Sequence, residues 1–143
     1  MKFLKYILAI FLTLNLYALE IKELKPNYIF EATGGVTNLV IQNNLLLAST
    51  TASSVDIFDI EKKELLNSIK IDKIKDFTNQ IIDSKVYSVD KINNKILILS
   101  QGQSGGRNIF IYENDKLENI ISDEKRLFIA YTKFLDEENI IYA

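Results

Sequence analysis

Short runs of apolar residues recur along the chain from residue 28 onward, and turn-forming pairs such as Asn-Asn, Gly-Gly and Asp-Glu separate them. The runs are rich in Ile, Val, Leu, Phe and Tyr, which favour β-strands. No segment keeps a helical apolar stripe over three turns, so the pattern predicts an all-β fold. The predicted strands are Tyr28–Thr33, Val36–Gln42, Leu45–Thr50, Val55–Ile60, Leu65–Ile71, Gln80–Asp83, Val86–Lys91, Ile96–Gln101, Asn108–Glu113, Leu117–Ser122, Leu127–Lys133 and Ile140–Ala143.

An internal repeat organises these strands. Leu39–Ser49 and Val89–Ser100 each read as two strands joined at an Asn-Asn pair, Asn43-Asn44 and Asn93-Asn94, at an offset of 50 residues. Asparagine tolerates the positive φ that tight hairpin turns require. The sequence therefore predicts two equivalent hairpins at equivalent places in two units.

Each hairpin continues into a third and a fourth strand. Val55–Ile60 corresponds to Asn108–Glu113 at an offset of 54, so the second unit has a loop four residues longer. The following strands match at an offset of 52, so the next turn is two residues shorter. A third unit begins at Leu127 and turns at residues 136–139. Length differences confined to loops are typical of repeat architectures.

Four strands in each unit of this length are typical of β-propeller blades. The alternative is a β-sandwich whose hairpins resemble one another by composition. Because about four blades are needed to close a ring, we expect two and a half blades here to be the N-terminal part of a longer propeller. A flank of the last blade would then expose apolar side chains, and the isolated chain would be poorly soluble or oligomeric.

The first eighteen residues have the organisation of a secretory signal peptide. Lys2 and Lys5 form a positive region, an apolar run follows from Tyr6 to Leu14, and a small residue stands at Ala18. We predict cleavage after Ala18, a mature domain of residues 19–143 and a periplasmic location. An uncleaved anchor is the alternative, but the run is shorter than the ~20 residues that cross a bilayer. Contact with the membrane is expected only through this segment before cleavage.

The composition excludes many chemistries. The chain contains no Cys, His or Trp, so it has no disulfide, no thiolate or imidazole ligand, and no Ser-His-Asp triad. Its net charge is −2 without a clustered basic stripe, which argues against nucleic-acid binding. We expect no catalytic residue, cofactor or metal, although carboxylates that converge only in the folded protein are not excluded.

One motif has the form of a nucleophile elbow. Gly102-Gln103-Ser104-Gly105-Gly106 matches G-x-S-x-G, but a strand is predicted after it where that motif requires a helix, and no His accompanies it. The segment is therefore interpreted as a hairpin loop in which glycine permits positive φ. Gln103, Ser104 and Arg107 are the residues of this loop that we expect to contact a protein partner.

The third strand of the first unit resembles the corresponding strand of WD40 repeats, with Phe58 before Asp59 where Trp is usual. With Tyr87–Asp90, Ile109–Glu113 and the signal peptide, the chain resembles periplasmic WD40-like β-propeller proteins that include accessory proteins of nitrate reductase. The Gly-His pair of WD40 repeats is missing. The resemblance implies a non-catalytic scaffold that assists assembly or maturation of a redox enzyme, whose subunits would be its partners. A scaffold for outer-membrane protein assembly and a metal-dependent propeller enzyme are the alternatives.

Overall fold

The apolar runs pair into antiparallel sheets in the computed structural model, which describes residues 25–143. The predicted signal peptide and its cleavage site at Ala18 lie outside the described residues. One sheet contains, in spatial order, β1 (Val36–Gln42), β2 (Leu45–Thr50), β3 (Ser54–Asp59) and β4 (Glu64–Lys70). The other contains β7 (Val86–Ile92), β8 (Lys95–Gln101), β9 (Arg107–Glu113) and β10 (Lys116–Ile121). Two hairpins complete the fold, namely β5 (Ile74–Lys75) with β6 (Ile81–Ile82) and β11 (Thr132–Phe134) with β12 (Ile140–Tyr142).

The two sheets are equivalent in topology, as the repeat predicted. In each, four consecutive strands are hydrogen-bonded to their sequence neighbours, and every pair is antiparallel. The two Asn-Asn turns are confirmed: φ is 54° at Asn43 and 48° at Asn93. Equivalent turns therefore use the tolerance of asparagine for the left-handed region.

The longer loop of the second unit is also confirmed, and part of its extra length extends the strands. In the first sheet, the pairing of β2 with β3 ends at Ser49 and Val55. In the second sheet, the pairing of β8 with β9 continues further, to Gln101 and Arg107. The remaining loop covers residues 102–106, whereas residues 51–53 join the corresponding strands of the first sheet. The turn between β9 and β10 is correspondingly shorter than the turn between β3 and β4.

The second sheet is buried on both faces. Ile98 belongs to the core between the two sheets, together with Leu47 and Val55 of the first sheet. Its neighbour Leu99 belongs to a separate core shared with Phe134 of the β11–β12 hairpin. Because adjacent residues of a strand point to opposite faces, the second sheet lies between the first sheet and that hairpin.

The first sheet has one face against the second sheet and one outer face. The outer face carries the row formed by Ile41, Leu46, Phe58 and Leu65, whose members are register partners in successive strands. An extended N-terminal segment, residues 28–33, covers its middle, where the rings of Phe30 and Phe58 have centroids 5.2 Å apart. The part of this face that lies on β1 remains open to solvent.

Two predicted strands are wrong in whole or in part. Tyr28–Thr33 is not a strand, because no neighbouring strand pairs with its backbone in the described part of the chain. Of the range Leu127–Lys133, only Thr132 and Lys133 lie in a strand, which continues to Phe134. Residues 130 and 131 still bond to the backbone of Ala143, but residues 127–129 leave the ladder. The all-β class and the four-stranded antiparallel sheets are confirmed. Between residues 25 and 143 we find no helix with the length and apolar character to span a membrane.

Candidate functional site

The connections between strands differ at the two ends of the molecule. At one end, which we call the turn end, short turns join the strands at residues 43–44, 60–63, 93–94, 114–115 and 135–139. At the other, the loop end, the connections are residues 51–53, 71–85, 102–106 and 122–131. Loops carried by a rigid scaffold are the usual place for binding residues. The loop end is therefore the candidate functional site.

Asp123 fixes the shape of the 102–106 loop. Its carboxylate accepts a hydrogen bond from the backbone N–H of Gln103 at 2.5 Å. Its own backbone N–H donates to the side-chain oxygen of Asn108 at 2.9 Å. The 3-10 turn that follows is capped by Ser122, whose hydroxyl accepts from the N–H of Glu124 at 3.2 Å. Two loops that are distant in sequence are thus locked together.

The glycines of this loop are required by space more than by backbone angle. A Cβ on Gly102 would lie 2.2 Å from the Cβ of Asp123, and one on Gly106 would lie 2.7 Å from its carbonyl oxygen. Only Gly105, with φ of 82°, occupies the left-handed region that favours glycine. The sequence interpretation, in which glycine served positive φ, is thus correct for one glycine and incomplete for the other two.

The three predicted partner-contact residues have different surroundings. Gln103 and Ser104 are exposed on the loop end. Arg107 is only partly exposed: its guanidinium lies 4.4 Å above the Tyr87 ring and donates to the carbonyl oxygens of Gly105 and Gly106 at 2.7 and 3.0 Å. Arg107 therefore stabilises the loop from within. A strand follows Ser104, as predicted, so the loop lacks the context of a nucleophile elbow.

A patch of exposed aromatic side chains borders this loop. The side chains of Phe77 and Phe128 are 96% and 77% exposed. A Cβ placed on Gly105 would lie 3.3 Å from the Phe128 ring. Phe77 lines, with Ile74, Ile82 and residues 101, 102, 104 and 105, a groove of about 540 Å³. Both rings therefore border the 102–106 loop, and we call Phe77 and Phe128 the aromatic patch.

A smaller polar cavity of about 350 Å³ lies on the same end. It is lined by Gln103, Ser104, Asp123, Glu124 and Arg126. The apolar groove and the polar cavity thus share the 102–106 loop as a common wall. Aromatic residues surrounded by polar groups and arginine are typical of protein interfaces.

Asp76 and Asp136 cap the turns in which they stand. Hydrogen bonds from the Thr78 side chain and from the N–H groups of Gln80 and Thr78 lower the pKa of Asp76 below its ordinary value. The Asn139 side chain and the N–H groups of Glu138 and Asn139 lower the pKa of Asp136 in the same way. Both are local arrangements within single turns. Among residues 25–143, acidic side chains form no group of three that would hold a metal ion.

The sequence did not predict the aromatic patch. Phe77 lies between the predicted strands Leu65–Ile71 and Gln80–Asp83, and Phe128 lies within the predicted strand Leu127–Lys133. The sequence does contain one indication of the patch: Phe77 is a large apolar residue among turn-forming residues. A side chain at such a loop position is expected to be exposed, because it does not reach the core. No protein-family model matches the chain, and no curated protein shows detectable similarity to it.

Proposed function

We propose that the chain is a blade array of the β-propeller type that binds a protein partner through its loop end. The two equivalent four-stranded sheets, stacked face to face and followed by a third hairpin, support the propeller interpretation. In this interpretation β1, β7 and β11 are the inner strands of successive blades. The resemblance in sequence points to a periplasmic location after removal of residues 1–18.

The aromatic patch is the observation that carries the proposed binding role. An almost fully exposed Phe77 costs free energy in water, because its apolar surface is unburied. Monomers rarely leave such side chains together unless they serve an interface. The adjoining groove and the polar rim of Gln103 and Ser104 provide a pocket and hydrogen-bonding groups of the kind that interfaces use.

The proposed role is a non-catalytic scaffold for a redox enzyme, with subunits of the periplasmic nitrate reductase as the first partner to test. Binding of the purified protein to those subunits would be measured by biolayer interferometry. We expect the double variant Phe77→Ser/Phe128→Ser to weaken binding by at least about tenfold, since truncated aromatic anchors typically have effects of this size.

The matched control is Leu66→Ser, which removes an apolar side chain that is 47% exposed on β4, away from the loop end. It should leave the affinity unchanged. Equal affinity of the double variant and the wild type would overturn the proposed site. Binding to outer-membrane assembly proteins in place of the reductase, or unchanged nitrate reductase activity and cofactor content after gene deletion, would overturn the choice of partner.

A further inference from the structure

The described part of the chain leaves two apolar sheet faces unpaired, one at each end of the stack of sheets. On the outer face of the first sheet, Leu39 is 56% and Ile41 is 69% exposed. On the outward face of the β11–β12 hairpin, Leu135 is 65% and Ile141 is 52% exposed. These two surfaces are named below the front face and the back face.

The front face and the back face correspond to two surfaces that pack on each other inside the molecule. The repeat aligns Leu47 of the first sheet with Leu97 of the second, and Leu46 with Ile96. Leu47 points toward the second sheet, and its equivalent Leu97 points toward the hairpin. Each unit therefore packs its back onto the front of the next. The front of the first sheet is equivalent to the covered front of the second sheet, but it is exposed. The back of the hairpin is equivalent to the surface that provides such a cover.

The N-terminal segment, residues 28–33, lies on the first sheet where a strand of a preceding sheet would lie. Phe30 lies against Phe58 of β3, and the repeat aligns Phe58 with Tyr112 of β9. Among the residues of the first sheet, Asn67 of β4 lies beside Tyr112, with its amide nitrogen 3.4 Å from the Tyr112 hydroxyl oxygen. β4, the outermost strand of the first sheet, lies over β9 of the second sheet. Residues 28–33 lie over the equivalent strand, β3, in the same way.

The backbone of the segment is unpaired between its two ends. Residues 29–32 form no backbone hydrogen bond with any other residue in the described part of the chain. Tyr28 and Thr33 anchor the two ends, through the Lys63 carbonyl oxygen at 2.9 Å and the Asp56 carboxylate at 2.6 Å. Such a held, unpaired edge is a template for strand addition.

We infer that a second copy of this chain covers the front face, with its β11–β12 hairpin packed on Leu39 and Ile41 beside residues 28–33. Within the described residues the hairpin has two strands, so it would cover only the part of the front face that residues 28–33 leave open. Glu31 on the segment and Lys133 on the hairpin are both exposed and opposite in charge. The contact is front to back, so two copies either close a ring with two such contacts or continue into a longer assembly.

Size-exclusion chromatography with light scattering of the purified protein tests this inference. We expect a species of at least twice the mass of a single chain. Leu39→Lys/Ile41→Lys blocks the front, and Leu135→Lys/Ile141→Lys blocks the back. Each variant alone should be monomeric, because every contact needs one intact face of each kind. An equimolar mixture of the two should form a 1:1 complex through the single intact pair of faces.

A monomeric wild type at all concentrations would overturn the inference, as would association that survives in either variant. Failure of the mixture to form a complex would show that the front and back faces do not bind each other, and it would overturn the inference too. Circular dichroism of each variant verifies that the sheets are intact. Phe77→Ser, outside both faces, should leave association unchanged, so loss of partner binding and loss of self-association are separable.

Discussion

The backbone N–H of Thr33 donates a hydrogen bond of 2.6 Å to the carboxylate of Asp56, a side chain that is fully buried in β3. The same carboxylate accepts from the Thr33 hydroxyl at 3.2 Å and from the Ser68 hydroxyl at 2.6 Å. Three donors therefore converge on one buried acid, which links the N-terminal segment to β3 and β4.

Replacing this acid tests its structural role. Asp56→Ala leaves buried donors without an acceptor, and we expect the free energy of unfolding to fall by about 2–3 kcal/mol. Urea denaturation followed by circular dichroism measures it. Asp72→Ala, at an exposed position, is the matched control and should change stability by less than about 0.5 kcal/mol. A loss for Asp56→Ala no larger than that of the control would contradict the role assigned to the carboxylate.

The 102–106 loop offers a steric test. Gly106→Ala places a methyl group 2.7 Å from the Asp123 carbonyl oxygen, so the 3-10 turn must shift. We expect a loss of about 1–3 kcal/mol in the free energy of unfolding, as for other overpacked sites. Gly35→Ala is the control, because its nearest contact would be the Thr51 hydroxyl at 3.3 Å. Equal melting temperatures for the two variants would contradict close packing of Asp123 on the loop.

The burial of the second sheet on both faces predicts the response of two adjacent residues. Ile98 and Leu99 point in opposite directions and are both fully buried. Ile98→Ala and Leu99→Ala should each lower the free energy of unfolding by about 2–5 kcal/mol. Leu117→Ala on β10, where the side chain is 37% exposed, should cost less. A loss in the free energy of unfolding no larger than that of Leu117→Ala, at either buried position, would contradict burial of that face of the sheet.

The β11–β12 turn predicts a dependence on pH. The pKa of Asp136 is lowered on folding by the Asn139 side chain and the backbone N–H groups, so its ionised form stabilises the turn. That stabilisation is present above the ordinary aspartate pKa of about 4 and is lost as the pH falls through the lower folded value. The stability difference between wild type and Asp136→Asn should therefore shrink below about pH 4. An NMR titration midpoint for Asp136 at or above the ordinary value would contradict this.

The sequence predicted those parts of the fold that depend on local pattern and repetition. Val36–Gln42 and Leu45–Thr50 have the predicted bounds, and the turn at Asn43 has the predicted positive φ. Tyr28–Thr33 has the composition of a strand, but strand formation also requires a partner backbone, which local sequence does not report. Its contact with Asp56 depends on packing between segments 23 residues apart.

The candidate site was less accessible to prediction for a related reason. Gln103 and Ser104 were found because Gly and Ser punctuate a loop. Phe77 and Phe128 form a common feature only because the fold brings residues 71–85 and 122–131 next to the 102–106 loop. The role of Arg107 changed for the same reason, since the Tyr87 ring beneath it lies on a different strand.

The difference between the turn end and the loop end also affects how the protein tolerates insertions. A turn such as Asn43-Asn44 has two residues, so an insertion there must replace the tight turn that joins β1 and β2 by a longer one. Residues 76–80 form an exposed reversal within a long connection, where doubling the loop length costs only about 0.6 kcal/mol of closure entropy. New sequence can therefore accumulate beside Phe77 while the sheets stay unchanged, so we expect longer insertions to be tolerated better at the loop end than at the turn end.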